Sequence, residues 1–298
     1  MKPADRQLFL ITGATGKTGR HAVRLLVQRG FRVRALVHRE DDRSRLLTEA
    51  GAEVVIGDLL DMPTVRAALD GVNRAYFTYP IRPHLLEATA VFAQAAHDVR
   101  SVDAVVNMSQ VSARPDAVSN AARQHWLAER WLDWTPLRVT HLRPTFFAEW
   151  LTQFGVYNEH EGVLALPLGD GRHAPIAAED QAHVIAAILA DPEPHAGRVY
   201  PLFGPVEMHH DEIAAAMSLA LGRPVRYEPI TVAAFAEKLR ASGAGEHLIQ
   251  HLSNVAIDYQ NGIFAGTNDV VETVGGKSPM TVEHFVAANR REFAVKAR

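Results

Sequence analysis

The chain has 298 residues, with 31 Lys and Arg against 34 Asp and Glu, a formal net charge of −3 and no cysteine. This balance gives no electrostatic ground for nucleic-acid binding, and the missing cysteines exclude both a disulfide framework and a thiolate nucleophile. No apolar run reaches the roughly 18 residues of a membrane span. The opening MKPADRQ lacks a signal-peptide apolar region, so a cytoplasmic location is expected.

The first element is also the most informative. Leu8-Phe9-Leu10-Ile11 reads as a buried strand and runs into Gly13, Gly16 and Gly19 in G-x-x-G-x-x-G spacing. An amphipathic helix follows from Arg20 to Gln28, with Ala22, Val23, Leu26 and Val27 on its apolar side and Gly30 as its stop. Strand, glycine turn and helix form the context of a dinucleotide fingerprint. The first glycine permits the turn, the second lets main chain approach a pyrophosphate, and the third lets the helix pack closely. Helix-opening amides lack intrahelical partners and suit an anion. Gly13, Thr15, Gly16, Lys17, Thr18 and Gly19 are therefore candidate cofactor-binding residues for NAD or NADP.

The second strand, Phe31 to Val37, ends in His38-Arg39-Glu40, with Arg43 close behind. A free ribose 2′-hydroxyl usually meets a carboxylate about 20 residues past the glycines, whereas a 2′-phosphate meets Arg. His38 and Arg39 stand at that point, and a guanidinium offers a planar fork to phosphate oxygens. NADPH is the expected cofactor, with NAD possible. Against this, Glu40, Asp41 and Asp42 crowd the turn, as in a plain solvated loop.

Further strands are expected at Glu53–Asp58, Ala75–Thr78, Asp103–Met108 and Leu137–Leu142. Helices are expected over Met62–Leu69, about Pro83–Ala96 and near Ala121–Leu132. Such alternation means a doubly wound parallel α/β sheet of the Rossmann type with right-handed crossovers. After Pro144 the pattern loosens across glycines and prolines. A helix at Glu179–Leu189 and a strand at Val199–Phe203 then return to the sheet. From Pro205 a smaller, mostly helical lobe is expected, closing with a helix at Thr281–Phe293 whose Arg290-Arg291 pair forms its wet face. The division is residues 1–145 plus 177–204 for the nucleotide-binding domain, and 146–176 plus 205–298 for the substrate lobe.

Ligands of such sheets bind beyond the carboxyl ends of the strands. Asp58 and Leu59 end the third strand, where the Asp58 carboxylate could accept the adenine amino group. Thr78, Tyr79 and Pro80 end the fourth and should line the ribose and nicotinamide. Asn107 to Gln110, including Ser109, end the fifth; Pro144, Thr145 and Phe146 end the sixth and should touch the nicotinamide. For any one of these, loop packing competes with ligand contact.

The segments ITGATGKTGR, RALVHRED, GAEVVIGDLLD, His125-Trp126-Leu127-Ala128-Glu129, LRPTFFAEWL, GRVYPLFGPVEMHHDEIAAAMSLALGRPVRY and TVEHFVAANRREF cover nearly the whole length. Through them the chain resembles the NmrA-like group of atypical short-chain dehydrogenase/reductases, which holds NAD(P)H:quinone oxidoreductases and triphenylmethane reductase. The resemblance implies a Rossmann sheet with a small C-terminal lobe and a preference for NADPH. It departs at His38, where relatives commonly carry Arg. Their phosphate recognition is then weaker or shared here.

The larger superfamily uses a Tyr with a Lys four residues on, the Lys lowering the phenol pKa. The residues four beyond Tyr76, Tyr79, Tyr157, Tyr200, Tyr227 and Tyr259 are Pro80, Pro83, Glu161, Gly204, Thr231 and Ile263, so that pair is absent. Gln110 stands where the serine partner is expected. His125 and Glu129 occupy the place of the missing pair, one turn apart on a helix face. Glu129 is expected to orient the imidazole and raise its pKa, making His125 a proton donor near neutrality. The plainer alternative is a surface ion pair beside packed Trp126 and Trp131. The dye- and quinone-reducing relatives carry a similar H-x-x-x-E.

His247 and His251, or His209 and His210 beside Asp211, invite a metal reading, but no third ligand is identifiable and no metal is expected. His210-Asp211-Glu212 reads better as the start of a helix at Ile213–Leu221. Two functions follow. One is reduction of a quinone-like planar acceptor held between Phe146, Phe147 and the second lobe. The other is a cofactor-reading regulator acting on a partner protein. A homodimer is open in either case.

Overall fold

The computed structural model describes residues 7–294, so most of the MKPADRQ opening lies outside the described residues. Strand β1 (Leu8–Ile11) leads into α1 (Lys17–Gln28), β2 (Arg32–Val37), α2 (Asp42–Glu49), β3 (Glu53–Ile56), α3 (Met62–Leu69), β4 (Arg74–Phe77), α4 (Leu85–Val99), β5 (Ala104–Met108), α5 (Asn120–Asp133) and β6 (Arg138–Pro144). The chain then builds α6 (Trp150–Phe154), β7 (Val156–Tyr157), β8 (Gly162–Leu166) and β9 (Arg172–His173). It returns to the first domain with α7 (Ala178–Ala190) and β10 (Val199–Leu202). The remainder is β11 (Met208–His209), α8 (His210–Leu221), β12 (Val225–Pro229), α9 (Val232–Ala241), α10 (Glu246–Gln260), α11 (Val270–Thr273) and α12 (Val282–Ala288).

The main sheet has seven strands in the order β10-β6-β5-β4-β1-β2-β3, with every neighbouring pair parallel. Chain direction across the sheet reverses between β1 and β4, which opens a crevice at their carboxyl ends. Alternation along β1 divides the core between the two faces. Phe9 and Ile11 pack with Ala22, Val23 and Leu26 of α1 and with Ile185 and Ile188 of α7. Leu8 and Leu10 pack with Val65, Leu69, Phe92 and Leu132 of α3, α4 and α5. Each of the Val, Leu, Ile and Phe side chains among these contributes about 1.5–3 kcal/mol by leaving water. Helix α1 stops where expected. Gly30 (φ +81°) donates to the Val27 carbonyl and Phe31 donates to that of Leu26, a left-handed glycine closure.

The second lobe is mostly helical, as expected, and it also holds a three-stranded sheet ordered β12-β8-β7, with β8 and β12 parallel. Helices α8, α9, α10 and α12 surround a core that includes Leu164, Leu166, Met217, Phe235 and Tyr259. Some details differ from the sequence reading. Helix α8 starts at His210 with His209 as its cap, the imidazole accepting from Asp211 N–H at 3.2 Å. The closing helix breaks at Asn289 into a 3-10 turn at Arg290–Phe293. Arg290 is not a free wet-face residue, since it donates to the Leu221 carbonyl that ends α8 at 2.6 Å. Val271 of α11, placed by the sequence in the second lobe, is buried in the α1–α7 core of the first domain. Trp131 is exposed rather than packed.

Candidate functional site

The glycine turn is set by main-chain crowding. Gly13 has φ +57°, and a Cβ there would lie 2.5 Å from Cγ2 of Thr78. A Cβ on Gly19 would lie 2.3 Å from the Gly13 carbonyl, so the start of α1 passes directly against the end of β1. Gly16 caps α1 with no side chain over the first turn and no acidic residue within it. The positive end of the helix dipole therefore faces the crevice uncovered.

From this turn a groove of about 480 Å³ runs between the ends of β1, β2, β3 and β4. Of the sequence candidates, Gly13, Thr15, Gly16, His38, Asp58, Leu59, Thr78, Tyr79 and Pro80 line it. Lys17, Thr18 and Gly19 do not. The Lys17 ammonium donates to the Glu149 carbonyl, Thr18 turns its hydroxyl to Gln181, and Gly19 is buried in helix packing.

Arg39 is likewise absent from the lining. Its side chain is 75% exposed and reaches only to Asp41, at 3.8 Å. Arg43 and Arg82 line the groove instead. A residue in the first turn of a helix points its side chain back past the helix start, and that is where Arg43 sits. Asp41 holds it with Nε at 3.1 Å and Nη2 at 2.6 Å. This guanidinium, with the Ser44 and Arg43 amides, lowers the Asp41 carboxyl to about 2. His38 Nδ1 lies 3.7 Å from Asp58, whose other oxygen accepts the Leu60 amide at 2.9 Å. The Arg82 guanidinium sits 5.2 Å from the centre of the Tyr79 ring.

At Thr78, Tyr79 and Pro80 the groove meets a second cavity of about 250 Å³ between the lobes. Ser109, Gln110, His125, Pro144, Thr145, Phe146, Phe147, Trp150 and His251 are among its walls. Three polar atoms here, Ser109 Oγ, Gln110 Nε2 and Thr145 Oγ1, are buried without a hydrogen-bond partner among the described residues. A buried orphan of this kind costs about 1–3 kcal/mol, so three lining one cavity mark a place where a polar ligand would satisfy them.

The segment after β5 straps the lobes together. Arg114 forms a two-pronged pair with Asp258 of α10, at 2.8 and 2.6 Å. Asn120 N–H donates to Gln250 and Gln250 donates to the Val118 carbonyl. Ser119 lies 2.8 Å from His251 Nδ1. Ser119 Oγ also accepts the Ala122 amide; where its own proton goes to Nδ1, the neutral His251 ring carries its proton on Nε2. His251 is the residue sequence reasoning missed. Its spacing from His247 suggested a metal pair, whereas the fold sets it near His125 on a different helix.

Glu129 does not play its expected part. It is fully buried and forms a two-pronged pair with Arg143, at 2.8 and 2.5 Å. No hydrogen bond joins it to His125 among the described residues. Burial lowers the His125 pKa to about 4, outweighing the upward pull of the Glu129 charge. Burial first, and the neighbouring His125 second, lower His251 to about 3. Both rings are therefore neutral N–H donors at neutral pH, not imidazolium acids.

The parallel sheet, its strand order and the bare helix start over the switch point define a Rossmann-type α/β protein. The NmrA-like family model matches residues 5–286, and the chain belongs to that family. It is 31% identical to an NAD(P)H azoreductase of Xenophilus azovorans over 288 residues, covering 96% of this chain and 99% of that protein. The fold superimposes with TM-score 0.81 on an NADPH-dependent quinone oxidoreductase of Escherichia coli complexed with NADPH, at 22% identity over 94% of this chain and 99% of that one. It also superimposes with TM-score 0.82 on NmrA, a negative transcriptional regulator, in complex with NAD. There the identity is 15%, over 96% of this chain and 95% of that one.

Proposed function

We propose that the protein is an NAD(P)H-dependent reductase passing hydride to a flat, electron-poor acceptor, quinone-like or azo, in the cavity between the lobes. One observation carries this reading: the glycine-turn groove and an aromatic chamber share Thr78, Tyr79 and Pro80 as walls, and that chamber has three unsatisfied polar atoms on its walls. A protein that only reads the cofactor needs no such chamber. The azoreductase relative at 31% identity supports the same reading.

The residues fit a dinucleotide, since the space a Cβ would fill at Gly13 and the uncovered start of α1 form a cradle for a bisphosphate. When bound, the nicotinamide supplies the hydride. Arg43 and Arg82, beside His38, supply positive charge for a 2′-phosphate, so NADPH is preferred over NADH. Asp58 and Leu59 flank the adenine end, and Thr78, Tyr79 and Pro80 the ribose that follows. Ser109, Gln110 and Thr145 offer hydrogen bonds to the carboxamide and to the acceptor's oxygen or nitrogen. Phe146 and Phe147 face the flat acceptor, and Pro144 closes the wall beside them. His125 and His251, kept neutral, donate hydrogen bonds to the atom that gains negative charge. Removing one such donor costs about 10²–10³ in kcat in comparable sites. The final proton then comes from water, since neither imidazole holds a spare one at neutral pH.

The test is NADPH and NADH oxidation against a panel of quinones, azo dyes and triphenylmethane dyes. Turnover with at least one acceptor class is expected. Cofactor binding with no turnover above background would overturn the reductase in favour of a regulator of the NmrA kind.

A further inference from the structure

The cavity between the lobes is polar but uncharged. Among the described residues that line it, none is Asp, Glu, Lys or Arg. Burial holds its two histidines neutral, with His125 lowered to about 4 and His251 to about 3. The buried carboxylates of the same two helices are already paired, Glu129 of α5 with Arg143 and Asp258 of α10 with Arg114. An ion entering this space would lose its water and meet no opposite charge. That penalty exceeds what a hydrogen bond returns.

The cavity offers a fixed neutral amide instead. Gln110 sits on the turn after β5, between two main-chain anchors to β6. Ser109 N–H donates to the Leu142 carbonyl at 2.7 Å, and Val111 N–H donates to that of Pro144 at 3.2 Å. Ala113 N–H closes the turn on the Gln110 carbonyl at 3.0 Å. The fully buried Ser112 hydroxyl then donates to Gln110 Oε1 at 2.7 Å. With that oxygen taken, the side chain presents Nε2, which is buried and has no hydrogen-bond partner among the described residues. An amide nitrogen brings two N–H donors and no charge. It satisfies a carbonyl oxygen or an azo nitrogen. It does not neutralise a sulfonate, and it turns its positive edge toward a cation.

We propose that Gln110 is a specificity-determining residue and that the cavity admits only acceptors uncharged at the reacting ring. Neutral quinones and neutral azo compounds are taken; rings bearing a sulfonate or a positive charge are refused. Turnover of these acceptors rests on the reductase reading, whereas the order in which charged and uncharged rings bind does not.

The experiment titrates three isosteric probes that accept no hydride: 2-naphthamide, the 2-naphthoate anion and the 2-naphthamidinium cation. Calorimetry follows their binding to the whole chain at pH 7.5, with NADPH in excess so that the glycine-turn groove is filled. The wild type should bind the amide about tenfold or more tightly than either ion, the worth of one hydrogen bond. Gln110→Glu, which puts a carboxylate opposite the amidinium, should reverse the order and favour the cation by about tenfold. Gln110→Leu should weaken the amide about tenfold and favour neither ion. In turnover, the wild type should show a higher kcat/KM for 1,4-naphthoquinone than for 1,4-naphthoquinone-2-sulfonate, by about tenfold or more. Equal binding of the three probes by the wild type overturns the proposal, as does an unchanged order in Gln110→Glu. Should Gln110→Glu fail to melt cooperatively, Gln110→Leu decides: a weakened amide upholds the assignment and an unchanged one overturns it. If no quinone is reduced while the probes keep their order and reverse it in Gln110→Glu, the reductase reading fails and the charge selection stands.

Discussion

The two ends of the crevice are built on different principles. The glycine end is made of consecutive main chain, with Gly13, Gly16 and Gly19 within seven residues of one another. It recognises by shape and helix polarity, and it is open to water. The inter-lobe end gathers side chains from the ends of β4, β5 and β6, from α5 and from α10, and it holds two buried, neutral histidines. The first end tolerates little change at a few positions. The second end depends on two lobes staying docked. Binding and chemistry are thus separable by mutation.

The largest effect should come at the glycine end. Gly13→Val places a branched side chain where a single Cβ already lies 2.5 Å from Thr78 and φ is +57°. By calorimetry NADPH affinity should fall by more than about 100-fold, comparable to losing one or two charged hydrogen bonds. An unchanged affinity would put the cofactor elsewhere.

At the other end, His125→Ala should lower kcat about 10²-fold with the KM for NADPH within twofold. His251→Ala should act similarly, and the double variant should lose less than the product of the two, because both donate toward one atom. Strict additivity would separate their roles. Arg43→Ala should raise the KM for NADPH about tenfold and leave NADH unaffected, as removal of one charge-assisted contact implies. Arg39→Ala should change neither by more than about twofold. The reverse order would restore Arg39 to the site.

Buried neutral histidines also predict how the fold responds to acid. The folded pKa values of His125, His251 and His210 lie below the ordinary 6.5. The unfolded chain therefore binds more protons below pH 6.5. Stability is complete above that value and falls as pH drops from 6.5 toward 4. Between pH 7.5 and 5, Tm should fall by about 5 °C or more, measured by differential scanning calorimetry. A flat profile would mean the rings are hydrated.

Much of this was legible in residue order, and the failures share one cause. The alternation of apolar strands and amphipathic helices located the main sheet, because burial on both faces leaves continuous apolar runs such as Leu8–Ile11 and Ala104–Met108. In the second lobe, Gly162–Leu166 and Val225–Pro229 pair with each other across more than fifty residues, and the glycines and prolines between them masked both strands. His125 was singled out, but Glu129, one turn away on the same helix, belongs to Arg143 of β6. Arg39 stood at the expected spacing, yet the cap at Asp41 started α2 so that Arg43 turned toward the groove.

By itself the sequence determined the sheet, the glycine turn and the absence of a Tyr-x-x-x-Lys pair, since these follow from local sterics, periodicity and composition. Only the tertiary structure decided which charges meet, that His251 faces the same cavity as His125, that both are uncharged, and that Gln110 turns its amide nitrogen into that cavity. The reason is physical. A side chain's partner and its exposure to water are set by segments far apart in the chain, and these set its proton affinity.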